Sequence, residues 1–142
     1  MKKEVGLQRF IDAQTGSYDN ALSEVMNGKK RSHWMWYIFP QIQGLGFSEI
    51  SKFYAINDIT EAEDFLKNPV LGNRLVAICN ALMGLENNNA NQIFGSPDDL
   101  KLQSCMTLFS SVPGHDPVFD RVLAKFFKGT KDDKTLQIIA AK

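Results

Sequence analysis

The chain has 142 residues, a length that suits one domain with a core of its own. Its 16 lysines and arginines are matched by 16 acids, and a net charge of zero argues against nucleic acid or an anionic membrane as partner. Hydrophobic residues at 44% and charged ones at 23% belong to a folded globular protein, which sets aside disordered and fibrous classes.

Met-Lys-Lys-Glu-Val at the start carries an export-like charge, but Arg9, Asp12 and Gln14 interrupt any apolar run, so no signal peptide is read. Val5, Leu7, Phe10 and Ile11 predict a short amphipathic helix that ends near Gln14, with Thr15-Gly16 as its stop. A second begins after Asp19 or Asn20, turns Ala21, Leu22, Val25 and Met26 inward, and ends at Gly28. Lys29-Lys30-Arg31 reads as a solvated loop rather than a phosphate site.

Ser32 to Leu45 is the stretch around which the chain is organised. Trp34, Trp36, Tyr37 and Phe39 crowd into six positions, and each such ring can bury about 150–250 Å². Most of that surface is expected inside. Ser32 is the expected cap of a helix that Pro40 ends, because proline disfavours helical geometry at the residue before it. A strand over 34–39 is the rival reading. Gln41 to Phe47 is a loop, after which Ser48 caps a helix carrying Ile50, Phe53, Tyr54 and Ile56.

Thr60 and Glu63 fit a capping box opening a helix that ends near Lys67. Asn68-Pro69 starts the longest helix, whose Leu71, Leu75, Ile78, Cys79, Leu82 and Leu85 recur at three and four residues as a core-facing stripe. After the Asn87 to Asn89 loop, a turn of helix through Gln92-Ile93-Phe94 stops at Gly95. Ser96-Pro97-Asp98-Asp99 combines a cap, a first-position proline and two acids at the positive end of the helix dipole. Leu102, Cys105, Met106 and Phe109 form that helix's buried face. Asp116-Pro117 repeats the device ahead of Val118, Phe119, Val122, Leu123, Phe126 and Phe127, and Asp133 caps a last turn with Leu136, Ile138 and Ile139.

The sum is an all-α, single compact domain over 1–142, with seven to nine mostly short helices in irregular orthogonal packing. Cys79 and Cys105 lie in apolar helical patterns without metal or redox spacing and read as buried thiols of a reducing cytoplasm. No apolar stretch reaches the length of a membrane span.

Ordered blocks of this sequence resemble a known family. They run from Leu7-Gln-Arg-Phe through His33-Trp-Met-Trp, Phe39-Pro-Gln and Gly44-Leu-Gly with Ser48, then Pro69-Val-Leu-Gly-Asn-Arg-Leu, Phe94-Gly with Asp98 and Lys101, and Ser104-Cys-Met-Thr-Leu-Phe, to Asp133 with Thr135-Leu. Together they are similar to the bacterial "domain of unknown function eighteen-ten" family, members of which are sometimes mislabelled calpastatin. The resemblance spans nearly the whole chain and implies an all-helical single domain without implying an activity. Nothing here reads as a disordered, charged protease inhibitor.

Chemistry has few sponsors. His33 has no carboxylate at helical spacing to orient it as a base, and His115 precedes an aspartate better used as a helix cap. Two histidines without ligand spacing make no metal site, no cofactor-binding motif is found, and phosphate loops and GxSxG contexts are missing. The catalytic residues, if any, are unknown.

The stronger signal is polar residues beside apolar faces: Lys101, Ser104 and Thr107 at three-residue intervals, Arg74 between Leu71 and Leu75, and Gln41 and Gln43 flanking the tryptophans. A cleft walled by Trp34 and Trp36, with Gln41 and Ser104 as hydrogen-bonding groups and Arg74 and Lys101 as cations, suits a small polar or phosphorylated ligand. The alternative is a non-catalytic module whose aromatic patch meets a protein partner or a second copy, with Arg74 and Lys101 running along the surface. Convergence of Arg74, Lys101 and Ser104 on one concavity favours the first; a flat exposed aromatic patch favours the second.

Overall fold

The structure, a computed structural model, describes residues 6–142. The predicted start of the first helix at Val5, like the export-like charge before it, lies outside them. Ten helical segments follow in order: α1 Gln8–Thr15, α2 Tyr18–Met26, α3 Met35–Ile38, α4 Glu49–Phe53, α5 Ile59–Lys67, α6 Pro69–Met83, α7 Ala90–Phe94, α8 Asp98–Ser110, α9 Val118–Phe127 and α10 Asp133–Ala141. The described helices are one more than the expected seven to nine, and α3, α4 and α7, of four or five residues each, stand where short helices were expected. Extended pairing among the described residues is confined to a parallel bridge between Ile42 and Ile56. The strand reading of 34–39 falls, and the all-α expectation holds.

The core forms where α9 packs on both α6 and α8, with α5 and α2 laid against α6 and α10 against α8. Leu71, Leu75, Ile78, Cys79 and Leu82 of α6 are buried, as are Leu102, Cys105, Met106 and Phe109 of α8. Rings thread the interior in two chains. Phe10, Phe65, Phe109 and Phe119 succeed one another at centroid spacings of 5.2, 5.2 and 5.9 Å. Trp34, Phe39 and Phe94 form a triangle with sides of 6.2, 6.3 and 5.9 Å. At Gly72 a Cβ would run into the backbone carbonyl of Leu66, so the end of α5 and the start of α6 meet at a distance that only glycine permits.

Several helix starts lie one or two residues from the expected cap. Asp58, not Thr60, caps α5, its side chain accepting the Glu61 N–H at 2.9 Å, while Glu61 reaches back to the Asn57 N–H at 2.8 Å. Asp132, not Asp133, caps α10 through the Thr135 N–H and hydroxyl. Pro97 itself occupies the cap position of α8, and the Ser96 side chain makes no cap bond. Asn68 caps α6 as expected, accepting from Val70 and Leu71, and Ser48 caps α4 by accepting from Ser51. Met26 was expected inside but is 64% exposed. Ile50 and Phe53 are exposed too, because α4 buries none of its side chains. No described helix is long and apolar enough to cross a membrane.

Candidate functional site

The segment leading into α3 is shaped by a buried carboxylate. Glu24 of α2 accepts hydrogen bonds from the backbone N–H groups of Arg31 and Ser32 at 2.7 and 3.0 Å, the Ser32 hydroxyl at 2.7 Å and the Trp34 indole N–H at 2.9 Å. The Asn20 amide adds a fifth donor at 2.9 Å. Burial pushes the Glu24 carboxyl up, but the bonds from Arg31, Ser32 and Trp34 outweigh it and bring it down to about 2. Ser32 therefore serves Glu24, and no side-chain bond caps α3, which shrinks to the single turn Met35–Ile38.

That turn separates the two tryptophans. Residues two apart on a helical turn point about 200° from each other, so Trp34 and Trp36 do not share a face. Trp34 is 1% exposed, with its N–H spent on Glu24. Trp36 is half-buried at the surface. The expected pair of cleft walls is thus one core ring and one wall.

Two sets of groups surround Trp36. On one side the Lys101 ammonium lies 5.3 Å from its ring centroid, in cation–π range. Asp98 holds Lys101 at 3.5 Å and Lys30 at 2.9 Å, and Lys30 in turn lies 5.0 Å from the Trp34 ring. Lys30 is therefore an engaged, largely buried cation, whereas its neighbours Lys29 and Arg31 are exposed as the loop reading expects. On the other side the chain leaves Pro40 and is pinned to Ile56 by bonds from Ile56 N–H to Gln41 O and from Gln43 N–H to Ile56 O, both 2.8 Å. Between Trp36, Gln41, Gln43, Ser51, Lys52 and Tyr54 lies a recess of about 20 Å³. That is room for one water-sized group. The Ser51 hydroxyl accepts from Ser48 at 2.8 Å, which leaves its own proton available. Burial, then the neighbouring Tyr37, pushes the Tyr54 phenol up, so it stays a donor at neutral pH.

The other expected residues sit apart from this recess. Arg74 donates to the Gln14 side chain at 3.3 Å and lies 5.2 Å from the Tyr18 ring, while the Tyr18 hydroxyl donates to the Arg74 carbonyl at 2.8 Å. Ser104 donates to Leu100 O of its own helix at 3.2 Å. Thr107 donates to Gln103 O at 2.8 Å and accepts from the Asp132 N–H at 2.9 Å. Gln41 and Lys101 thus each neighbour Trp36, on different sides of it; Arg74, Ser104 and Trp34 are each committed elsewhere. Lys52, which pairs with no carboxylate among the described residues, is the cation at the recess. Sequence reasoning missed it because nothing in its spacing sets it apart from an ordinary surface lysine.

Two buried or charged groups outside the site are structural. Arg9 gathers the carbonyls of Phe53 and Ala55, each at 2.7 Å, together with Gly6 O and the Glu61 carboxylate at 3.2 Å. His115 bridges Val112 O at 2.7 Å and Asp120 at 2.6 Å, and Asp116 accepts from Val118 N–H at 2.8 Å, although Pro117 and not Asp116 occupies the cap position of α9. His33 is exposed. The described residues hold no group of three or more His, Cys, Asp or Glu side chains placed to share a metal ion.

The profile of the family described as "Protein of unknown function (DUF1810)" matches residues 4–139. The chain belongs to this family. Among solved structures, this DUF1810 chain is similar to the conserved hypothetical protein Rv1873 from Mycobacterium tuberculosis, with 37% sequence identity and a TM-score of 0.94 over 98% of this chain and 99% of that one. No curated protein matches it. The fold of this DUF1810 domain is therefore shared with that relative over nearly all of the described residues.

Proposed function

We propose that this domain binds a small polar or anionic ligand at the Trp36 recess. The observation that supports this best is the grouping of a half-buried indole with unengaged hydrogen-bonding side chains and a lysine. Gln41 and Gln43 offer amides, Ser51 a free hydroxyl proton and Lys52 an ammonium, all around one water-sized hollow beside the Trp36 ring. A hollow of that size takes the end of a ligand, such as a carboxylate or phosphate oxygen, while the rest lies over the indole. The described lining holds no carboxylate or imidazole, so the reading is of binding rather than proton transfer. Arg74 and Ser104 fall outside the proposed site; Lys101 contributes through Trp36.

The test is a thermal-shift screen with inorganic phosphate, sugar phosphates, nucleotides and dicarboxylates. A binder at about a hundred times its dissociation constant stabilises by about 2.7 kcal/mol. The expected result is a hit lost in Gln41→Ala and Lys52→Gln but kept in Arg74→Ala. A screen without hits, or a hit indifferent to Gln41 and Lys52, overturns the reading. A second reading, docking of another protein surface, draws on a separate observation: an apolar ridge on α4.

A further inference from the structure

Phe47 is 86% exposed, Ile50 41% and Phe53 51%. Ile50 and Phe53, three residues apart, lie on one side of α4, and Phe47 stands just ahead of the extended Ser48 cap. None of the five residues of α4 is buried, and a helix so short has almost no stability of its own. What ties it down is the Ser48 cap, Arg9 on the Phe53 carbonyl at 2.7 Å, and the Phe53 ring against Tyr54 at 4.9 Å. A chain that spends three large apolar side chains on such an element exposes a surface that water does not favour.

We infer that this ridge is the self-association surface of the protein and that its occupant is the same ridge of a second copy, packed antiparallel about a two-fold axis beside Ile50. The charge pattern selects that occupant. Glu49 and Lys52 stand one turn apart on one flank of the apolar side and border the same open groove as Ile50 and Phe53. An antiparallel two-fold sets each Glu49 opposite the partner's Lys52, twice, while Phe47 and Phe53 close over the ends. A parallel arrangement would put the two Glu49/Lys52 flanks on opposite sides of the contact and leave both without a partner. The net charge of zero leaves no long-range repulsion between copies. A contact built on so short a helix belongs to the small, transient class of interface, with a dissociation constant of about 10–100 µM. The inference goes beyond the ligand reading and stands without it, since it is measured with no ligand present.

Sedimentation equilibrium across that concentration range tests it. The wild-type chain is expected to dimerise, and Phe47→Ser or Ile50→Asp to weaken the dimer by about tenfold or more. The thermal midpoint of Phe47→Ser is expected to match the wild type in dilute solution, where both are monomeric, because that side chain is 86% exposed. Glu49→Lys and Lys52→Glu are each expected to be monomeric, and an equimolar mixture of the two to dimerise, since every charge pair across the two-fold is then opposite again. A monomeric wild type overturns the inference. So does a dimer indifferent to Phe47 and Ile50, or a mixture that stays monomeric.

Discussion

The half built from α6, α8 and α9 and the stretch from α2 through α4 are held by different physics. In the first, helices of 10 to 15 residues bury broad apolar stripes against one another, and the hydrophobic effect supplies the order. In the second, α3 and α4 have only four and five residues, too few to bury a stripe. Their paths are set instead by buried charged side chains collecting backbone groups: Glu24 takes the N–H groups around Ser32, and Arg9 takes the carbonyls around Phe53. A long helix satisfies its own backbone, whereas a short irregular segment must borrow partners. The candidate ligand recess and the α4 ridge both lie in the borrowed region, where the surface is shaped by loops rather than by helix faces.

The contrast can be broken at five positions. The largest effect is expected at the junction of the two regimes. Trp34→Ala removes a core ring and a Glu24 donor together, and should cost about 3–5 kcal/mol by denaturant titration. The Trp36→Ala cost should be clearly smaller, because that ring is only half-buried; equal costs would mean that both rings are core. Ile78→Ala, inside the long-helix half, should cost about 2–4 kcal/mol, and the loss should be the same at every pH between neutrality and pH 3.

Glu24→Gln should cost about 2 kcal/mol at neutral pH, since one of its oxygens becomes an amide that cannot accept from the facing N–H groups. It also carries a pH signature. Glu24 sits at about 2 in the fold, below its ordinary value of 4.5, so its stabilisation is present above the ordinary value and is lost as pH falls through the folded one. The wild type should lose part of its stability between those two values, and Glu24→Gln should lack that component. Parallel acid titrations of the two proteins check it.

The smallest effect belongs to His115. Burial lowers its pKa, but the bonds to Asp120 and Val112 outweigh that and raise it above 6.5. The contribution is complete below 6.5 and fades as pH rises through the raised value. With Asp120 exposed, His115→Gln should cost under about 1 kcal/mol at pH 6 and less at pH 9, by thermal unfolding at the two pH values.

The long-helix half was legible because its signals are periodic and local: Asn68-Pro69 opens a helix wherever it stands, and a stripe at three and four residues must face a core. Cap positions slipped by one or two residues at Asp58 and Asp132, since neighbouring acids and hydroxyls compete for the same N–H groups and only the loop geometry chooses among them. Of the residues around the proposed recess, the sequence pointed to some and not to others. Gln41 and Lys101 were named and each neighbours Trp36, but Arg74 and Ser104 were drawn to it by type rather than by place. Lys52, Gln43 and Ser51 reach Trp36 because the bridge between Ile42 and Ile56 folds that stretch back on itself. Glu24 and Arg9 carried no warning, for nothing in their local sequence separates a buried carboxylate or guanidinium from a solvated one.

By itself, then, the sequence determined an all-helical domain, its proline and asparagine starts, the buried faces of its long helices and its family, because these depend on residues close together in the chain. Only the tertiary structure decided which tryptophan is core and which is surface, which charges are buried, and which polar groups share the recess. Those outcomes turn on segments too short to order themselves, whose positions are set by partners tens of residues away.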